Sequence, residues 1–158
     1  MTVTIRPSKV EDAYVLGNNL RESDQKEIKA GSGRGPLEAL VNAFKLSDPD
    51  LRWTAFYNDE PIVMWGAARR NLTTGSIWLL ASDDVYRIRK IFLKNCPIYL
   101  KTMHERYQYL FNWVDIKHES SLNWLHGLGF SVTGFDPRYG HGKAPFLMFT
   151  SYRDRNNV

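Results

Sequence analysis

The chain has one cysteine in 158 residues, Cys96, so it forms no internal disulfide and suits a reducing compartment. That cysteine falls on the apolar side of a helical pattern and reads as a packed residue rather than a reactive thiol. No apolar run approaches the roughly 20 residues that span a bilayer. Met1-Thr-Val-Thr-Ile-Arg6 reads as a first strand rather than a signal peptide. The histidines, His104, His118, His126 and His141, have no metal-ligand spacing with carboxylates or cysteine, so no metal site is expected. Gly31-Ser-Gly-Arg-Gly35 lacks a preceding strand and the Lys-Ser/Thr pair of a nucleotide loop; it reads as a mobile link. Glycine is missing altogether from Ser82 to Asn95.

What is present fits one globular domain, expected over residues 1–152 with a frayed tail at 153–158. A chain of this size buries roughly 70% of its unfolded surface, enough for one core. Aromatics are in excess, with five Trp, eight Tyr and eight Phe. Trp53, Trp65, Trp78 and Trp113 fall in strand patterns and read as core. The net charge of +4 does not by itself indicate nucleic acid. Arg87, Lys90, Lys94 and Lys101 share one side of a helical pattern, a solvated face or a surface for an acidic partner. No aromatics alternate with them to stack bases, which weakens a nucleic-acid reading.

The organising stretch is Gly75–Asn95. Ile77-Trp-Leu-Leu80 suits a strand covered on both faces. Ser82 is an N-cap candidate, and Asp83 and Asp84 suit the first helical turn. Val85, Ile88, Phe92 and Cys96 then give a long helix its buried face, which Pro97 is expected to kink or divide. Before this stretch come a strand, a helix to about Leu20 with a capping box at Ser8 and Glu11, and a charge-dense segment, Leu20–Ala30. That segment is either an exposed element laced with ion pairs or a polar cluster of Arg21, Glu22, Asp24 and Glu27 at a pocket mouth. A helix opened by Pro36 and a hairpin of two strands follow. After the long helix come a strand, a short helix ended by Gly129, a strand over Phe130–Gly134, a loop over Asp136–Lys143 and a last strand. The expected class is α/β (α+β), a mixed sheet of about seven strands with helices on both faces.

That order resembles the GNAT (Gcn5-related N-acetyltransferase) fold. His118-Glu-Ser-Ser-Leu-Asn-Trp-Leu-His-Gly-Leu-Gly-Phe130 is similar to the fourth-helix signature of that family. LRESDQKE, GRGPLEAL, Trp65-Gly66, WLLASD and SSLNWLHGLGF together resemble a phage branch of the fold, similar to the internal virion protein A of T7-like podophages.

The resemblance implies that acyl-CoA pyrophosphate would be held after the fourth strand, on a loop usually rich in glycine. The matching positions, Ser82–Arg89, have no glycine. Asp83 and Asp84 place two carboxylates there, each costing an anion ~4–6 Å away on the order of 1 kcal/mol. Arg87 and Arg89 offset part of this. The positions that would touch the cofactor are Ser82, Asp83, Arg87, Arg89, His118 and Ser121. The tyrosine that often protonates the leaving thiolate falls on Leu125, with Tyr86, Tyr109 or Cys96 as substitutes. Glu22 and Asp24 are the expected general-base candidates.

The preferred expectation is therefore a phage-encoded protein of GNAT fold with a degenerate acyl-CoA loop and no cofactor. It would be non-catalytic, contacting a phage structural or host protein in the host cytoplasm or the virion. The alternative is an active N-acetyltransferase using acetyl-CoA on an amine. Nucleic acid bound through the basic helix is the weaker partner.

Overall fold

The computed structural model describes residues 2–153. Strand β1 (Val3–Pro7) leads through helices α1 (Val10–Leu16), α2 (Glu22–Ser32) and α3 (Pro36–Leu46) to strands β2 (Arg52–Tyr57), β3 (Glu60–Arg69) and β4 (Thr74–Ala81). A 3-10 turn over Asp83–Ile88 opens into α4 (Arg89–Arg106), followed by β5 (Tyr109–Asp115), α5 (Glu119–Gly127), β6 (Ser131–Tyr139) and β7 (Ala144–Tyr152). The seven strands form one sheet in the order β1-β2-β3-β4-β5-β7-β6. Only the β4–β5 pairing is parallel.

Both faces of the central strands are covered, which is why β3 and β4 lack polar alternation. On one face Ala13, Leu16, Leu20, Leu40 and Phe44 pack on Met64 and Leu80. On the other, Val85, Ile88, Phe92, Cys96, Met103 and Leu125 pack on Trp53, Trp65, Ile77 and Ala81. Trp65 meets Phe92 and Tyr99 edge-on, each at 5.2 Å between ring centroids. The expectation of core tryptophans holds for Trp53 and Trp65; Trp78 and Trp113 are only partly covered. Cys96 is buried among these residues, and burial pushes its thiol up to about 11, consistent with a packed residue.

The sheet is split at its centre. β4 and β5 pair only at Thr74–Tyr109, Gly75–Leu110 and Ser76–Phe111. Beyond Ser76 they separate, while β4 stays paired with β3 through Ala81 and β5 with β7 through Asp115. Residues 77–81 and 112–115 thus present two open strand edges to one another.

Several local expectations are corrected. The first helix is capped one residue later than Ser8: Lys9 N–H donates to Asp12 at 2.9 Å, and the Ser8 hydroxyl instead bonds that of Thr54 at 2.8 Å. That helix ends at Leu16, although Leu20 is still buried. The glycine-rich segment is not a free link. Gly31 and Ser32 belong to α2, Gly33 closes the helix in the left-handed region at φ 73°, and the carbonyls of Ala30 and Gly31 accept from Gly142 and His141. Ser82 does cap, its Oγ accepting from Asp84 N–H at 3.3 Å, but the turn it caps is 3-10 and the α-helix begins at Arg89. Pro97 does not divide α4, which runs unbroken through it. β6 reaches Tyr139, well past Gly134, so much of the expected loop is strand. Of the expected frayed tail, residues 154–158 lie outside the described residues, while Arg153 N–H donates to Gln108 O at 2.8 Å.

Gly75 sits at the last closed part of the β4–β5 seam. A Cβ there would lie 2.6 Å from Cδ2 of Tyr107, a side chain only 1% exposed and anchored by its hydroxyl to Asp48. Gly75→Ala is expected to lower stability by about 1–3 kcal/mol, read from the urea midpoint. An unchanged midpoint would show that Tyr107 can move aside.

Candidate functional site

Helix α2 closes the mouth of the split through two carboxylates one turn apart. Asp24, 1% exposed, accepts from Ala81 N–H on the β4 edge at 2.9 Å. Glu27 accepts from Asp115 N–H on the β5 edge at 3.2 Å. Arg21 braces Asp24 with two bonds, Nε at 2.9 Å and Nη2 at 3.1 Å, and its own backbone N–H donates to Ala81 O at 2.9 Å. Burial opposes the Arg21 charge, and Asp24 with Tyr86 more than restores it. His118, before α5, lies 2.7 Å from Asp24 through Nε2, and its Nδ1 accepts from Ser121 N–H at 3.3 Å. In either charge state the Nε2–H donates to Asp24; in a neutral ring the acceptor role of Nδ1 fixes that tautomer.

Two cavities flank this clamp and share Leu79, Ser121 and Trp124 in their walls. One, of about 470 Å³, lies between the β4 end, α4 and α5; Leu79, Val85, Phe92, Pro97, Trp124 and Leu128 give it an apolar floor, with Arg21 and Arg89 among its charged lining. The other, of about 340 Å³, lies against α2 and β5 and is lined by Glu27, Trp78, Asn112, Trp113, Tyr139 and Phe146. Trp113 and Tyr139 stack at 4.9 Å, and Tyr139 meets Phe146 at 4.5 Å. Burial pushes the Glu27 carboxyl up to about 7, with His118 opposing and Asp24 adding to the shift.

The expected site residues separate in space. Glu22 is exposed and pairs with Lys26 at 2.9 Å, lining neither cavity. Asp24 is enclosed by its four donors. Asp83 is exposed at the 3-10 turn; Arg87 is exposed and pairs with Asp84 at 3.3 Å. Arg89 and Ser121 reach the first cavity. Ser82 is buried as a cap, and His118 is buried on Asp24. Leu125 is fully buried. Of the substitutes for a tyrosine there, Tyr86 lines the first cavity, whereas Tyr109 packs on Tyr152 and Cys96 accepts from Trp124 Nε1 at 3.3 Å. Of the α2 acids, Glu27 is the one that lines a cavity, as the reading of Leu20–Ala30 as a polar cluster at a pocket mouth allowed, while Glu119 of α5 lines the first cavity.

The seven-stranded mixed sheet with its helices aligns with solved acetyltransferases. Ard1 from Thermoplasma volcanium aligns with a TM-score of 0.71 at 15% identity, covering 96% of this chain and 98% of that one. The chain has the GNAT fold. The ribosomal-protein-S5-alanine acetyltransferase of Vibrio fischeri aligns at 0.66 and 17% identity, over 97% and 94% of the two chains. A GNAT-family acetyltransferase from Elizabethkingia anophelis, solved with acetyl-CoA bound, aligns at 0.61 and 15%, over 95% and 97%. At these identities the likeness is one of fold. No known family profile matches the sequence, and no curated protein is significantly similar to it.

Glu27 gives this GNAT-fold site a pH signature. A carboxyl whose native pKa is raised favours the folded state while protonated. Its contribution is whole below the ordinary value of 4.5 and is lost as pH rises to about 7. Glu27→Gln is expected to remove that slope, making the variant more stable relative to the natural protein at pH 8 than at pH 4, by up to about 3 kcal/mol. Parallel urea midpoints for the two proteins across that range would contradict the assignment.

Proposed function

We propose that this GNAT-fold protein works by binding a protein partner rather than by transferring an acetyl group. The observation that carries the reading is the use of the backbone amides after β4. Asp84 N–H is taken by the Ser82 hydroxyl and Val85 N–H by the Ser82 carbonyl. A pyrophosphate needs such amides turned outward. Here they close a glycine-free 3-10 turn that carries two acids, and Arg87 is engaged by Asp84. The first cavity suits an apolar arm, but this junction does not fit the charged end of acyl-CoA. The buried Leu125, where a proton donor would be expected, points the same way. The likeness of LRESDQKE, WLLASD and SSLNWLHGLGF to phage internal virion proteins supports a structural protein of the particle, or a host protein, as the partner.

The second reading, an acetyl-CoA-dependent N-acetyltransferase acting on an amine, is favoured by Glu27. A carboxyl that titrates near 7 in a cavity wall is matched to accepting a proton from an entering ammonium.

Calorimetric titration with acetyl-CoA separates the two. The natural protein is expected to give no binding at micromolar concentrations. An Asp83→Gly/Asp84→Gly variant, with charge removed and backbone freed, is expected to gain affinity if charge closed the junction. Micromolar binding by the natural protein would overturn the first reading.

A further inference from the structure

The chain's positive charge is concentrated on one helix. α4 holds Arg89, Lys90, Lys94, Lys101 and Arg106 against a single acid, Glu105, so it carries the whole net charge of +4 and the rest of the chain is balanced. Lys90, Lys94 and Lys101 are exposed, and among the described residues none of them is in an ion pair. On a helix they lie within about 40° of one another around the axis, opposite Phe92, Cys96 and Met103, which are buried in the core. They form a single outward ridge about 16 Å long.

We propose that this ridge of α4 binds the phosphate backbone of duplex nucleic acid without reading its sequence. This goes beyond the proposed function and does not depend on whether acetyl-CoA binds. Three unpaired ammonium groups in line, with Glu105 as the one acid at the end of their row, favour a polyanion by charge complementarity. The buried side of α4 argues against a lipid surface. A helix lying in a bilayer interface needs its apolar face free, and here that face is committed to the core. The exposed Ile91 and Ile98 sit beside the ridge rather than at its centre. Single strands are disfavoured because Tyr86 is the one exposed aromatic near these lysines among the described residues, leaving no series of rings on which bases stack.

The test is fluorescence anisotropy with a labelled 20-base-pair duplex of mixed sequence, titrated at several salt concentrations. With three to four phosphates neutralised, affinity is expected to fall roughly 40- to 150-fold between 50 and 200 mM salt. Lys90→Gln/Lys94→Gln/Lys101→Gln is expected to abolish measurable binding, or to flatten the log–log salt slope by about 3. Lys9→Gln/Lys29→Gln/Lys45→Gln, which removes equal charge from exposed sites elsewhere, is expected to leave that slope unchanged. No binding at 20 mM salt would overturn the proposal. So would equal effects of the two triple variants. Binding to phosphatidylserine–phosphatidylcholine vesicles in place of the duplex would assign the ridge to a membrane instead.

Discussion

Two carboxylates one helical turn apart hold the centre of this structure. Where β4 and β5 separate, each strand leaves peptide groups without a strand partner, and buried N–H groups without an acceptor are costly. Asp24 takes the amide of Ala81 on one edge, and Glu27 takes that of Asp115 on the other. α2 therefore spans the gap, and the spacing between the two acceptors helps set how far the strands stand apart.

The clamp accounts for the charges around it. Asp24 is buried almost completely and keeps its position because Arg21 and His118 face it. A buried carboxylate with those donors is anchored, and removing one partner from such a pair typically costs ~3–5 kcal/mol. Asp24 is thus bound up in structure, whatever chemistry the site carries. Glu27 has no cation paired with it among the described residues, stands in a cavity wall and titrates high. The same helix turn supplies one carboxylate that is spent on the frame and one that still faces a ligand-sized space. The split persists through the protein's own side chains.

Much of the fold was legible in the sequence because its signals were local. Ile77–Leu80 gave a strand covered on two faces, Pro36 a helix start, Gly129 a helix end, and Val85, Ile88, Phe92 and Cys96 a buried helical side. The errors came where tertiary contacts outweighed local rules. Asp12, held by Arg6, Lys9 and Thr54, took the capping role expected of Glu11. The Gly31–Gly35 segment was ordered by the 141–142 turn packing on it. The site was less legible, since the residues that matter pair across long stretches of chain. His118 was visible as the start of a helix signature but not as the partner of Asp24, 94 positions away. Glu27 was visible as a member of a possible polar cluster at a pocket mouth, but not as the acceptor for Asp115, 88 positions away.

The most direct test of this account is amide hydrogen exchange at Ala81. The residue lies at the open edge of a split strand, where an unpaired amide would exchange through small local openings. If α2 clamps the gap through Asp24, the Ala81 amide is expected to exchange only on global unfolding, with a free energy matching that from urea denaturation and with no cofactor added. Exchange at a free energy far below the global value would contradict the clamp, and with it the claim that the cleft is held open by the protein alone.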